Sequence, residues 1–214
     1  MPVKKTKKTV KKKETSKRKS AVATKKKVAK KATKKKFVKE SKSLVVVASF
    51  NGENVFSNKK EAMALYDQSR FGEKKDGKVI YSIYEALYLL EKGKLEVKDG
   101  RKIVKFEKLI ELARVKDSQI RTRFIVFRNM RNRGFIVKTA LKFGAEFRVY
   151  DRGVKPGQDH AKWILFPVSE NSQLTWHDFS AKNRVAHSTK KNLLIGVVDE
   201  EEDVTYYEIR WLKP

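Results

Sequence analysis

The chain contains no cysteine among its 214 residues. Disulfide bonds, thiolate catalysis and zinc sites built from thiolates are therefore excluded. No stretch approaches the roughly 18 consecutive apolar residues that a membrane-spanning helix requires. The apolar segment of a secretory signal and the arginine-rich amphipathic pattern of a transit peptide are also missing, so we expect a cytoplasmic protein.

Acidic residues are scarce at the N-terminus. Residues 1–43 carry 20 lysines and arginines against two glutamates, a net charge of +18. Such a segment contains too little apolar surface to offset the entropy of ordering, so we expect residues 1–43 to be disordered. A lysine run attracts nucleic acid by releasing condensed counterions, without reading base sequence. The sequence leaves open whether the tail captures a substrate or only keeps the protein soluble.

From residue 44 the pattern is typical of a folded domain. The run "LVVVASF" (44–50) and the turn "NGE" predict a strand pair near Phe50 and Val55. "YSIYEALYLLEKGKLEV" predicts a helix ended by Gly93 and then a short strand, and the apolar spacing in residues 106–113 predicts another helix. We therefore predict a small mixed α/β domain over residues 44–116.

The second half begins with "KDSQIRTRFIVFRNMRNRGFIVK". It predicts a helix that Asp117 or Ser118 caps and Gly134 ends, with an arginine face that we expect to be solvated. The segments "FIVKTALKFGAEFRVY", "KWILFPV", "LLIGVVD" and "VTYYEIRW" predict strands, the last two joined by a turn of five acids. We predict an α+β domain with a central mixed sheet over residues 117–214, so the fold class is α+β.

Few residues offer chemistry. The three histidines, His160, His177 and His187, have no metal-ligand spacing, and no cluster of carboxylates at strand ends suits magnesium. No phosphate-binding or dinucleotide-binding glycine motif occurs. We therefore expect neither a metal nor a cofactor, which disfavours a metal-dependent DNA nuclease. What remains is the polar loop "YDRGVKPGQDHAKW" between two predicted strands, in which His160 lies beside Asp159 and Lys162.

Several long motifs occur in a characteristic order. They are "RGFIVKTALKFGAEFRVYDRG", "DHAKW", "RVAHSTKKNLLIGVVDEEEDVTYYEIRW" and, more weakly, "SIYEALYLLEKGKLEV". On these motifs, residues 44–214 resemble the archaeal tRNA-splicing endonuclease family. The resemblance implies an endoribonuclease that removes introns from precursor tRNA by cutting both splice sites of a bulge–helix–bulge. It also implies metal-independent attack by a 2′-OH, which leaves 2′,3′-cyclic phosphate and 5′-OH ends.

The resemblance also implies a catalytic triad. Tyr150 corresponds to the general base, His160 to the general acid and Lys191 to the cation that stabilises the transition state. Lys190 is the adjacent alternative. Lys191 is preferred because the resemblance implies a catalytic lysine four residues after the histidine of "AHS", which is His187. A tyrosine is a poor base at neutral pH unless nearby cations favour its phenolate. Because all three positions carry the expected residue types, the resemblance implies a catalytic subunit.

Two RNA-binding positions follow from the resemblance. Arg184 corresponds to an arginine that holds a bulged base on one side, and Trp211 or Arg210 supplies the opposite face. A base sandwiched between guanidinium and aromatic planes is a favourable arrangement for unpaired RNA. The sequence leaves open whether Trp211 is instead part of the core.

The five consecutive acids beside the cationic candidate site resemble a loop that docks on a basic cleft of a partner subunit. They are Asp199, Glu200, Glu201, Glu202 and Asp203. The resemblance implies a homotetramer, or a heterotetramer with a structural subunit. A non-catalytic basic RNA-binding protein of the same fold is the alternative function, in which the lysine-rich tail supplies the affinity.

Overall fold

The computed structural model describes residues 45–141 and 144–212. The lysine-rich tail predicted over residues 1–43 lies outside the described residues. Within the described ranges the chain forms two mixed β-sheets and five helices, which confirms the predicted α+β class. No helix in this part of the chain is both long and apolar enough to cross a membrane.

The first sheet has six strands, and three helices of the same part of the chain pack in its core, together with Ile120 and Phe124 of the helix that follows. Its elements are β1 Val46–Phe50, β2 Val55–Ser57, α1 Lys60–Ser69, β3 Glu73–Lys75, β4 Lys78–Tyr81, α2 Ile83–Glu91, β5 Leu95–Asp99, β6 Lys102–Val104 and α3 Phe106–Arg114. The spatial order of the strands is β3-β4-β2-β1-β5-β6. Neighbours pair antiparallel except β1 and β5, which are parallel.

The second sheet has five strands, with the order β11-β10-β9-β8-β7. It includes α4 Ile120–Asn132, β7 Ile136–Ala140, β8 Ala145–Tyr150, β9 Trp163–Ser169, α5 Trp176–Ser188, β10 Asn192–Val198 and β11 Val204–Ile209. The central strands β9 and β10 are parallel, and the other neighbours are antiparallel. The chain returns from β9 to β10 through α5, as a parallel pair requires a crossover.

One helix packs on each face of the second sheet. Val126 and Phe127 of α4 join a core with Phe147 and Leu194, whereas Ala186 of α5 packs with apolar residues of the opposite face. At Gly196 of β10, an added Cβ would lie 3.0 Å from the Val126 side chain and 3.2 Å from that of Tyr206. Glycine therefore lets α4 and β11 approach this central strand closely.

A buried ion pair joins the two sheets. Lys138 of β7 lies 2.7 Å from the Glu85 carboxylate of α2 and also donates to the carbonyl of Gly72. Both charged side chains are at most 5% exposed. The Glu85 carboxylate also accepts hydrogen bonds from the backbone N–H of Gly72 and of Ser82. Glu85 thus caps its own helix and fixes β7 at the same time.

The structure confirms the predicted strands and the helices around residues 83–91, 106–114 and 120–132, and it corrects two details of α4. The N-cap of α4 is Gln119, without a side-chain cap, instead of Asp117 or Ser118. Asp117 accepts the Gln119 N–H but is also engaged by Tyr84 and Arg123.

The arginine face of α4 is also not simply solvated, because its members make contacts across the molecule. Helices α1 and α5 are absent from the sequence prediction. The domain boundaries at residues 43 and 116 remain predictions.

Candidate active site

The candidate site lies where three strands of the second sheet begin or end. Tyr150 is the last residue of β8, and β9 and β10 begin next to this position, with Val149 opposite Trp163 and Trp163 opposite Asn192. The Lys162 N–H donates to the Val149 carbonyl, and the Asn192 N–H donates to the Lys162 carbonyl. Tyr150, Lys162 and Lys191 are the neighbours of these paired residues, and they therefore lie in one row across β8, β9 and β10 at this end of the sheet.

Tyr150 and Lys191 occupy this row on neighbouring sides of β9. Two strand spacings, about 10 Å, separate their backbones. Tyr150 is 5% exposed. It lies two residues after Arg148 on the same strand, so both face the side of the sheet that α5 covers. Lys191 is on the same face, because Arg148 pairs with Ile164 and Ile164 pairs with Leu193, two residues after Lys191.

Lys191 is half-buried and held in place by the end of α5. Its Nζ donates to the carbonyl of Thr189 at 2.7 Å, and its backbone N–H donates to the carbonyl of Ala186. Burial, followed by the nearby charge of Arg148, lowers the pKa of the Lys191 ammonium from its ordinary value. Lys190 has a different environment, since its side chain is exposed and its backbone is left-handed, with φ of 55°.

His160 lies in the loop that connects β8 with β9 and returns to the same end of the sheet. The loop turns at Gly153 and Gly157, which both have positive φ. The Lys162 Nζ lies 2.9 Å from the Asp151 carboxylate and closes the base of the loop, and this hydrogen bond is the largest cause that lowers the pKa of Asp151. The His160 side chain is exposed, so its imidazole is accessible to a substrate at this end.

Arg184 and Trp211 line one cavity of about 240 Å³. Trp211 follows β11 and is 55% exposed, so it is not a core residue. Its ring centroid lies 4.4 Å from that of His187 on α5, with the planes tilted by 56°. Arg210, the alternative to Trp211, forms an ion pair with Glu208 at 3.0 Å and lines a neighbouring cavity.

The five acids of the turn differ in their contacts: some bind other parts of the chain and the others are exposed. The Glu202 carboxylate binds Arg121 at 2.6 Å and Arg128 at 2.9 Å, and the Arg121 hydrogen bond is the largest cause that lowers the pKa of Glu202. Asp199 accepts the backbone N–H of Asp203 and stabilises the turn itself. The side chains that remain exposed belong to Glu200, Glu201 and Asp203.

The sequence suggested that the five acids lie beside the candidate site. In the structure they do not. Lys191 immediately precedes β10, whereas Asp199 immediately follows it, so the two features lie at opposite ends of a seven-residue strand. Proximity in sequence was misleading here because an extended strand separates its two ends by about 20 Å.

Sequence patterns gave no indication of the contact between His187 and Trp211, because α5 itself was not predicted. In the described ranges, no group of three or more His, Asp and Glu side chains is close enough to share a metal ion.

Comparison with known proteins identifies the family. The profile described as "tRNA intron endonuclease, N-terminal domain" matches residues 46–110, and "tRNA intron endonuclease, catalytic C-terminal domain" matches residues 120–206. The chain is similar to the tRNA-splicing endonuclease of Thermococcus onnurineus, with 45% identity over 164 residues, 76% of this chain and 94% of the relative. It is also 39% identical to that of Methanothermobacter thermautotrophicus over 165 residues, 76% of this chain and 96% of the relative.

An N-terminal domain followed by a catalytic nuclease domain, both of the same family, defines the class of the protein as an RNA-processing enzyme. The chain belongs to the tRNA intron endonuclease family, whose activity is the excision of introns from precursor tRNA. The prediction of an enzyme is thereby confirmed, in place of a non-catalytic RNA-binding protein.

The lysine-rich tail is additional to the part shared with the relatives. The match to the tRNA-splicing endonuclease of Thermococcus kodakarensis, 40% identical over 170 residues, covers 99% of that protein but 79% of this chain. Residues 1–43 precede the first residue that the family profiles match, which is residue 46.

Proposed function

We propose that this enzyme cuts both splice sites of a bulge–helix–bulge without a metal ion. The 2′-oxygen next to the scissile phosphate forms a bond to phosphorus, and the bond from phosphorus to the 5′-oxygen breaks. The 2′-OH proton passes to a base on the enzyme, and the departing 5′-oxygen receives a proton from an acid. The products carry a 2′,3′-cyclic phosphate and a 5′-OH.

Tyr150 is the general base in this proposal, His160 the general acid and Lys191 the transition-state cation. The observation that carries the assignment is the common end of the second sheet, where Tyr150 closes β8, Lys191 precedes β10 and the His160 loop returns. Arg148 and Lys191 are cations on the same face of the sheet as Tyr150. An exposed imidazole suits proton donation to a leaving group of a bound RNA.

A bulged base occupies the cavity between Arg184 and Trp211 in the proposed complex. Guanidinium and indole planes attract a nucleobase from its two faces, and every base has such a face. The His187 ring braces the indole from the side of α5. We further propose that the substrate is precursor tRNA in the cytoplasm, and that the enzyme acts as a homotetramer or as a heterotetramer with a structural subunit.

The deciding experiment is cleavage of a labelled precursor tRNA with a bulge–helix–bulge in EDTA, with end-group analysis of the fragments. We expect two cuts with 2′,3′-cyclic phosphate and 5′-OH ends. His160→Ala is expected to lose about 10²- to 10⁴-fold in single-turnover rate. The matched control is His177→Ala, because His177 is exposed in the first turn of α5, away from the three candidate catalytic residues. Cleavage that requires Mg²⁺, or 5′-phosphate products, would contradict the proposal.

A further inference from the structure

The backbone at Lys190 takes a conformation that lysine disfavours. Helix α5 is closed by hydrogen bonds from the N–H groups of Thr189, Lys190 and Lys191 to carbonyls of its last turn. Lys190 stands in this reversal with φ of 55°, the left-handed region in which glycine or asparagine is preferred after a helix. The requirements of the turn therefore do not explain a lysine at this position.

The Lys190 side chain lines a cavity of about 330 Å³ together with Lys191, Arg210, His187 and Trp211. The other two cations are engaged, because Arg210 pairs with Glu208 and the Lys191 Nζ donates to Thr189. Among contacts within the described ranges, the Lys190 ammonium has neither an ion pair nor a hydrogen bond. It is thus an exposed cation, available to a ligand, at the edge of the candidate site.

We propose that Lys190 binds a backbone phosphate of the substrate RNA next to the scissile phosphodiester. This assignment rests on the proposed function and gives the two adjacent lysines separate roles. Lys191 acts on the reacting phosphate, and Lys190 contributes to substrate affinity. A lysine ammonium is a compact charge on a flexible stem, which suits contact with a phosphate that carries no base information. The favourable effect of a cation near the C-terminus of α5 is the competing structural explanation.

The test compares full-length Lys190→Gly with the wild-type enzyme on a labelled precursor tRNA under single-turnover conditions, over a series of salt concentrations. Glycine removes the charge and relieves the left-handed backbone, so RNA affinity is expected to fall while folding stability is kept or rises. Lys190→Arg keeps the charge. Lys94→Gln is the control for charge removal, since Lys94 is exposed on the first sheet's side of the chain.

For Lys190→Gly we expect the RNA concentration at half-maximal rate to rise roughly three- to ten-fold. The rate at saturating RNA stays within about two-fold, and the salt dependence of affinity falls by about one counterion. The thermal midpoint is unchanged or higher. Lys190→Arg and Lys94→Gln behave as wild type. Comparing variants that all retain residues 1–43 cancels the contribution of the tail.

Three results would overturn the inference. Unchanged affinity and salt dependence in Lys190→Gly would show that the ammonium does not contact RNA. A ten-fold or larger loss of rate at saturation would make Lys190 catalytic, and a lowered thermal midpoint would favour the helix-end explanation. Failure of the proposed function is distinguishable, because the wild-type enzyme would then give no cyclic-phosphate ends in EDTA.

Discussion

At the scale of single residues, two consecutive lysines differ in burial, backbone conformation and contacts. Lys191 is half-buried, fixed by Thr189 and influenced by Arg148, whereas Lys190 is exposed on a left-handed backbone. A fixed cation in a partly dehydrated position stabilises developing charge better than a solvated one, because it needs no reorganisation during the reaction. This difference favours Lys191 as the transition-state residue.

Lys191→Ala is expected to lower the single-turnover rate at saturating RNA by about 10²- to 10⁴-fold, with a much smaller change in RNA affinity. Rapid-quench cleavage and filter binding on the same RNA measure the two quantities. A variant that binds far more weakly but cuts bound RNA at the normal rate would refute the role of Lys191.

Trp211→Ala is expected to weaken binding of bulge–helix–bulge RNA by about 1–3 kcal/mol, the usual contribution of one base stacked on an aromatic ring. Trp211→Phe should restore part of the loss. Trp176→Ala is the matched control, since Trp176 is also highly exposed but lies at the other end of α5. Equal affinity of the Trp211→Ala and wild-type enzymes, measured by titration, would rule out the base clamp.

The candidate site residues at this scale came from the resemblance, through the motifs "YDRG", "DHAKW" and "AHSTKK", and their roles remain predictions. The contact of Trp211 with His187 was not predictable, because it joins the C-terminal segment to a helix through space. The contrast between Lys190 and Lys191 was also hidden. It arises from the left-handed turn after α5, which no glycine or asparagine signals.

At the scale of elements, apolar content decided what could be predicted. Strands β9 and β10 are continuous apolar runs and were predicted, as the central strands of a covered sheet usually are. Helix α5 was missed because Ala186 is its only fully buried residue, so it lacks the apolar periodicity that marks an amphipathic helix. The same reason applies to α1, in which Ala62 is the only buried residue.

The acidic turn is braced by its own chain. Glu202 has positive φ and binds both Arg121 and Arg128, and Arg128 also binds Glu91 of α2. These contacts hold the turn while Glu200 and Glu201 point to solvent. The arginine face of α4 therefore holds the turn in one arrangement, and under the proposed assembly this reduces the entropy lost on docking.

Glu202→Gln is expected to lower the free energy of unfolding at pH 7 by about 1 kcal/mol or less, because the ion pairs are partly exposed. The pKa of Glu202 is lower in the folded than in the unfolded chain. Its contribution is therefore present above the unfolded-state pKa and is lost as pH falls through the folded-state pKa. Urea titrations of both proteins should converge in acid, and a difference that grows as pH falls would contradict the brace.

At the scale of the whole molecule, the Lys138–Glu85 pair holds the two sheets together. Lys138→Met leaves the Glu85 carboxylate buried without its cation, so we expect a loss of roughly 3–5 kcal/mol in the free energy of unfolding. Adding Glu85→Gln removes the unpaired charge and should recover part of this loss. Urea denaturation of the two single variants and the double variant measures the coupling, and strictly additive losses would show that the pair does not act as a unit.

The proposed assembly is tested by reversing the charge of the exposed acids while the contacts of Glu202 with Arg121 and Arg128 stay intact. Glu200→Lys/Glu201→Lys is expected to lower the molar mass measured by light scattering, because charge complementarity orients the partners. Asp99→Lys/Glu107→Lys is the control, with the same charge change at exposed positions of the first sheet's part of the chain. An unchanged mass for the acidic-turn variant at both low and high salt would count against this interface.

Under the proposed function, strand β10 lies between a catalytic residue and a subunit interface. Lys191 precedes its first residue, and the acidic turn follows its last, so about 20 Å of rigid backbone in the middle of the sheet lies between them. Substitutions at such distant sites combine additively, so a chain defective in cleavage can still be competent in assembly. Mixing a Lys191→Ala chain with wild-type chains would then yield oligomers that carry a countable number of working centres, in which cutting one splice site is uncoupled from cutting the other.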